Sequence, residues 1–253
     1  MAVDLAITGD VQSSLPELTE FVLSATDAAR RAVLALRGDK LKSDFAAAGR
    51  RVRAAAALGW DTSPVTTARL SAELFDAVKD EPWSLVVSDR INWARRMWPA
   101  SEFHQMLGGS GGQGVGYSLP GAVGAALANK SRGLISVTMQ PDGDALYQPG
   151  SLWTAAHHKI PLLMVMHNNR GYYQEVMHLQ RMASLHGRRT DAALIGNEIN
   201  HPAVDFAKLA QSYGVWAEGP VSDPRMLGAA IRRALAVVKS GAPALVDVIC
   251  QPR

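Results

Sequence analysis

Residues 140–175 read QPDGDALYQPGSLWTAAHHKIPLLMVMHNNRGYYQE, and this stretch decides the fold. An apolar run from Leu134 to Met139 leads into it and stops at Pro141-Asp142-Gly143-Asp144. A second apolar run, Pro161 to Met166, stops at Asn168-Asn169. Between them Leu152 to His158 has the pattern of a helix. The unit is strand, helix, strand, with oxygen-bearing side chains at the carboxyl ends of both strands, where open parallel sheets bind ligands. From Asp142 to Asn169 the spacing is 169 − 142 = 27 residues.

One carboxylate, one amide oxygen and a loop carbonyl form a half-shell of hard oxygens. Such a shell suits Mg²⁺, which shares its coordination with phosphates more often than it sits in an all-protein cage. The expected ligand is therefore a magnesium diphosphate. Gly143 lets the backbone come close to a phosphate, and successive N–H groups in such a turn make an anion nest. Taken singly, an Asp-Gly and an Asn-Asn are ordinary turn residues; the argument lies in their pairing at two strand ends.

The pattern resembles the thiamine diphosphate signature of the acetolactate synthase, benzoylformate decarboxylase and pyruvate decarboxylase family: Gly-Asp-Gly, then Asn-Asn some two dozen residues later. The resemblance implies Asp142, Asn169 and the main-chain carbonyl of Gly171 as Mg²⁺ ligands, with Gly143, Asp144, Ala145 and Asn169 against the cofactor. Pro141 stands where the family has its first glycine. A register shifted to Gly143-Asp144 shortens the spacing to 25 and puts Ala145 in the last glycine's place, so Asp142 is preferred.

A second motif agrees. LGGSGGQGVGYSLPGAVGAALA, from Leu107, contains a formal G-x-G-x-x-G at Gly109–Gly114. The dinucleotide reading needs a strand immediately before the loop, and the preceding SEFHQML reads as loop; no acidic ribose partner follows at a strand end about 20 residues on. The thiamine diphosphate family instead has a glycine-rich loop, an apolar residue, Gly, an aromatic and Leu-Pro opening a helix, which Val115-Gly116-Tyr117-Ser118-Leu119-Pro120 resembles. That resemblance implies Val115 as the wedge that bends the cofactor and the carbonyl of Gln113 as acceptor for its aminopyrimidine. Ser88, Asp89 and Asn92 follow a strand read at Trp83–Ser88 and are placed within reach of the diphosphate, with loop capping as the alternative.

A third feature follows Asn169. Arg170-Gly171-Tyr172-Tyr173-Gln174-Glu175 is similar to the same segment of pyruvate and indolepyruvate decarboxylases. It implies Glu175 as the catalytic carboxyl that assists decarboxylation and proton transfer, and Gln174 and Tyr172 as substrate-channel residues. In a closed, partly apolar site such a carboxyl is expected to be pushed toward neutrality; a solvent-facing helix glutamate is the plainer reading. His167 and His178 carry no motif and read as packing or surface residues.

The 253 residues hold 47% hydrophobic and 19% charged residues, enough for a full core and too little charge for disorder. Net charge is +3, and no Lys/Arg block is interleaved with aromatics, so nucleic acid is not indicated. Cys250 is the single cysteine, which fits a reducing compartment. Apolar runs are too short to span a bilayer. A cytoplasmic protein is expected.

Residues 1–25 read as a short strand and a helix beginning near Ser14, a β-α piece resembling the tail of the family's central domain. Residues 26–63 are an arginine- and alanine-rich helical linker, more a solvated connector than an anion-binding face. Residues 64–253 alternate between helices at Thr67–Val78, Leu119–Ala128, Val204–Tyr213 and Pro224–Lys239 and apolar strands that include Val215–Glu218 and Ala244–Cys250. The fold class is α/β: a doubly wound, mainly parallel sheet with helices on both faces.

The resemblance implies a thiamine diphosphate- and Mg²⁺-dependent enzyme that decarboxylates a 2-oxo acid, or passes the acyl unit to an aldehyde or second carbonyl. Activation of the cofactor in this family depends on a glutamate of the pyrimidine-binding domain, which has no counterpart here. A partner chain carrying that domain is expected, in a hetero-oligomer such as a dimer of heterodimers; the alternative is that this chain is a fragment of a longer one. Two other classes stay open: a non-catalytic cofactor-binding or regulatory subunit, and a nicotinamide-dependent oxidoreductase.

Overall fold

The computed structural model describes residues 3–87, 92–109, 112 and 114–252, with the backbone alone at Asn92. The chain divides into two compact units, 1–51 and 52–253.

In the first unit, helix α1 (Val11–Ser24) is started by Asp10, whose carboxylate accepts from the Ser13 N–H at 2.8 Å. It buries none of its residues, and Leu15, Leu18 and Phe21 are all more than half exposed. Helix α2 (Ala28–Ala56) follows. The strand expected near the N-terminus is not formed: residues 3–8 have no ladder, and Val3, Leu5 and Ile7 are exposed. A strand exists only as one side of a pair, and the unit offers no second side.

The second unit contains α3 (Thr67–Val78), β1 (Trp83–Val86), α4 (Asn92–Met97), β2 (Met106–Leu107), α5 (Ser118–Lys130), β3 (Ile135–Pro141), α6 (Asp142–Ala145), α7 (Ser151–His157), β4 (Leu162–Asn168), α8 (Tyr173–Leu185), α9 (Phe206–Ser212), β5 (Trp216–Val221), α10 (Pro224–Lys239) and β6 (Ala244–Ile249). The strands form one parallel sheet in the order β2-β1-β3-β4-β6-β5. From β1 the chain first moves outward to β2 and then returns to the other side at β3. The reversal puts a crevice at the carboxyl ends of β1 and β3.

Both faces of the sheet are covered. Leu70 and Leu74 of α3 and Leu227 and Ile231 of α10 pack with Val137, Met139, Val165 and Val246. Leu119 and Val123 of α5, Leu152 of α7 and Phe206 of α9 pack with Leu162, Met164 and Met166 on the opposite face. Helix α10 shows why this sequence makes these elements. Leu227, Ile231, Ala234, Leu235 and Val238 recur at helical spacing, Asp223 caps the N-terminus and Pro224 sits in the first turn.

Two strand assignments change. β2 lies in the segment read as loop, so a strand does precede the glycine-rich loop; at two residues on an edge it leaves almost no periodicity to detect. β1 ends at Val86 because Val87 turns to φ 49°, a left-handed conformation that breaks the ladder. Ser88, Asp89, Ser110, Gly111 and Gln113 lie outside the described residues.

Candidate active site

β3 runs to Pro141, paired with His167 of β4, and the chain passes directly into the helical turn α6. Asp142 therefore stands at the carboxyl edge of the sheet, one step from the end of β4. It is 2% exposed. Its Oδ1 accepts from the Gly143 N–H at 2.9 Å and its Oδ2 from the Gly171 N–H at 3.2 Å. Burial outweighs these donors and pushes the carboxyl up to about 6.

β4 ends at Asn168, and Arg170 takes φ 61°. That left-handed residue swings the chain back so that Gly171 faces Asp142, the kind of backbone strain that collects at functional sites. The turn is held by the Tyr172 N–H to the Asn197 carbonyl at 2.8 Å and the Ile199 N–H to the Arg170 carbonyl at 2.8 Å. A Cβ at Gly171 would stand 2.9 Å from the Asn197 carbonyl oxygen, so the close return needs glycine.

The Asn169 carboxamide closes the arrangement. One of its terminal atoms lies 2.9 Å from the Gly171 carbonyl oxygen and 3.2 Å from Oδ1 of Asp142. As nitrogen, that atom donates to both. As oxygen, it would stand from the Gly171 carbonyl and from Asp142 Oδ1 at spacings close to those of neighbouring ligands on an octahedral Mg²⁺, about 2.9 Å for Mg–O bonds of about 2.0–2.1 Å. Asp142, Asn169 and Gly171, the three residues implied by the resemblance, thus lie together, and a carboxylate, an amide and a main-chain carbonyl are a donor set of the kind a hard divalent cation takes.

The cavity beside this cluster holds about 70 Å³. Val115, His167, Gln174 and Glu175 line it together with Tyr172 and the Pro141–Asp144 turn. Gly143 admits no side chain, because a Cβ there would overlap the Tyr172 ring, whose hydroxyl donates to the Gly143 carbonyl at 3.1 Å. Burial raises the Tyr172 phenol above its ordinary value. Val115 is 41% exposed, and Gln174 and Glu175 are exposed at the mouth, so the enclosure expected around Glu175 is not supplied by the described residues of this chain. Asn92 is the first residue of α4. The Ala145 side chain turns into the core with Leu119 and Leu152. Asp144 is also buried, but both its oxygens are engaged: Oδ1 accepts from Gly116 N–H at 2.7 Å and Oδ2 from Ser118 N–H at 3.1 Å.

Two residues matter more than their sequence context suggested. His167 is buried, lines the cavity and lies 2.8 Å from the Thr67 hydroxyl through its Nε2, whereas His178 is exposed on α8 as expected. Asp247, in the middle of β6, accepts from the Asn168 amide at 3.0 Å and from the Phe206 N–H at 3.1 Å. It braces the residue next to Asn169, and burial pushes its carboxyl up to about 6. The signal for it was a lone carboxylate in the apolar run Ala-Leu-Val-Asp-Val-Ile. No described helix is long and apolar enough to cross a membrane.

Comparison with known proteins identifies the family of the segment that holds these residues. The family described as "Thiamine pyrophosphate enzyme, C-terminal TPP binding domain" matches residues 90–248, more than half of the chain. Benzoylformate decarboxylase of Pseudomonas aeruginosa is 31% identical over 153 residues, 60% of this chain and 25% of its own length. Acetolactate synthase of Bacillus subtilis is 26% identical over 250 residues, 97% of this chain and 39% of its own length. Among solved structures, a thiamine diphosphate-dependent 4-hydroxybenzoylformate decarboxylase of Rhodococcus jostii RHA1 matches with TM-score 0.61 and 25% identity, over 76% of this chain and 34% of that one. The chain thus spans between a quarter and two fifths of the length of these relatives.

Proposed function

The chain belongs to the thiamine pyrophosphate enzymes and carries their C-terminal TPP-binding domain, and from that premise we propose that it is the diphosphate-binding part of a Mg²⁺-dependent 2-oxo acid decarboxylase or carboligase. The observation that carries the proposal is the convergence of Asp142 Oδ1, the Asn169 amide and the Gly171 carbonyl at 2.9 and 3.2 Å. Asp142, Asn169 and Gly171 would hold the cation, which would offset the negative charge of a bound diphosphate. Bound thiamine diphosphate supplies the electron sink for loss of CO₂ from a 2-oxo acid.

The chain's own residues divide the remaining work. Burial raises the Asp142 carboxyl to about 6, so a cation binding there would displace its proton to solvent, and cation and carboxylate would stabilise each other. Val115 presents an apolar surface at the cavity mouth against which a bent cofactor can rest. Glu175 lies on the first turn of α8 and lines the cavity, and in this reading it would deliver or accept a proton at the reacting carbon. Gln174 and Tyr172 border the path by which a small 2-oxo acid or aldehyde enters.

The open mouth supports a shared site. Val115 and Glu175 are exposed here, and a proton-transferring carboxyl needs a dry, closed surrounding. The proposal therefore includes a pyrimidine-binding domain, on a partner chain or on a longer form of this one, that closes the mouth and brings the activating glutamate, in a hetero-oligomer if the domains are on separate chains. The test is the native mass of the protein purified from its source, with subunits identified by mass spectrometry and thiamine diphosphate assayed in the same peak. A larger species carrying the cofactor and a pyrimidine-binding domain is expected. A lone chain of 27.1 kDa free of cofactor would overturn the proposal.

A further inference from the structure

We infer that Asp144 is a positioning residue that ties the Val115 loop to the cation-binding turn, so that the shape of the cofactor's seat and the presence of its cation are set by one short segment. The inference rests on the thiamine diphosphate reading above, within which Val115 is the wedge.

Asp142 and Asp144 belong to the same four-residue helical turn and are each 2% exposed. They face different partners. Asp142 holds Gly171 on the β4 side, and Asp144 holds Gly116 and Ser118 on the β1–β3 side of the crevice. Gly116 directly follows Val115, and Ser118 is the first residue of α5, whose cap position, Tyr117, makes no side-chain cap bond. The Asp144 carboxylate therefore supplies from 26 residues away the acceptor that a local cap would give, and a negative charge at that end is favoured by the helix dipole.

Gly116, next to Val115, has little room to settle elsewhere. Gly116 is at φ 90°, and a Cβ there would stand 2.8 Å from Cβ of Tyr147, two residues beyond α6. For Val115 to shift, two charge-assisted hydrogen bonds must break and a buried carboxylate must be left without donors, which is costly. Asparagine offers one acceptor and presents an NH₂ to the second donor, so it restores part of the tie. Alanine restores none.

The test uses the full chain as wild type, Asp144→Ala and Asp144→Asn. Amide hydrogen exchange at Gly116 and Ser118 reads the tie, thiamine diphosphate titration at saturating Mg²⁺ reads the seat, and Mn²⁺ titration without cofactor reads the cation ligands alone. In D144A, exchange at both amides should rise at least about tenfold while the β3 amides stay protected, and the thiamine diphosphate Kd should rise about tenfold. Mn²⁺ affinity should stay within about twofold, because Asp142, Asn169 and Gly171 remain. D144N should fall between the two, and it carries the test if D144A does not fold. Unchanged exchange at Gly116 and Ser118 in both variants would overturn the inference. So would a loss of Mn²⁺ affinity as large as the loss of cofactor, since Asp144 would then be part of the cation site. If wild type binds no thiamine diphosphate, the functional reading fails, and exchange in the free protein still decides whether Asp144 holds the loop.

Discussion

The cavity has two ends that differ in completeness. At the end proposed for the cation, Asp142 is sealed from solvent, Gly143 is covered by Tyr172 and Gly171 is pinned by Asn197 and Glu198. At the mouth Val115 and Glu175 face water. The sheet edge, two strand ends and two tight glycines are enough to build the first from one chain. The second needs a surface that closes over it. Binding of the diphosphate and chemistry at the reacting carbon should therefore respond separately to substitution.

The largest effect is expected at the sealed end. Asp142→Ala removes the one carboxylate of the cation set, and Mg²⁺-dependent thiamine diphosphate binding should weaken by on the order of 100-fold or more, read by calorimetric titration. At the mouth, Glu175→Gln should leave that binding within about twofold while turnover of the loaded complex drops on the order of 10²-fold or more. If both variants lose binding alike, the two ends are not separable.

Gly143→Ala drives a methyl into the Tyr172 ring and should cost about 1–3 kcal/mol by denaturant unfolding. Adding Tyr172→Ala should recover part of that loss; no recovery would place the strain elsewhere.

Asp247 sharpens the comparison through pH. Its folded carboxyl titrates near 6, above the ordinary 3.8, so the folded state holds the proton more tightly than the unfolded chain. The stabilisation this group gives is complete below pH 4 and is lost as pH rises through 6. Asp247→Asn should flatten that part of the stability curve by on the order of 2 kcal/mol, measured by urea unfolding between pH 4 and 7. The smallest effect is expected in the first unit: Leu18→Ser with Phe21→Ser should hardly change unfolding of residues 52–253, whereas Ile231→Ala in the core should cost about 2–5 kcal/mol.

What the sequence disclosed follows the range of the forces involved. The β3-α7-β4 unit was legible because buried parallel strands are apolar runs and their ends are marked by Pro141-Asp142-Gly143 and Asn168-Asn169. Asp142, Asn169 and Gly171, proposed here as cation ligands, were picked out because those strand ends resemble the family's signature, and the fold does bring the three together. Asp247 was not, since its partners Asn168 and Phe206 lie 79 and 41 residues away and only tertiary packing brings them together. Asp144 was assigned to the cofactor from its neighbours, while its carboxylate is committed to amides 26 and 28 residues earlier. The edge strand β2 is too short for any period to show, and an N-terminal run with strand composition stays unpaired because composition cannot supply a neighbour.

The most direct test of the central claim is a thiamine diphosphate titration of the purified chain with Mg²⁺ and again with excess EDTA, followed by NAD under both conditions. Saturable thiamine diphosphate binding that requires Mg²⁺ and disappears in D142A, with no binding of NAD, is the predicted result. Binding that is indifferent to the cation, or NAD binding in its place, would contradict the assignment of Asp142, Asn169 and Gly171 as the seat of a magnesium diphosphate.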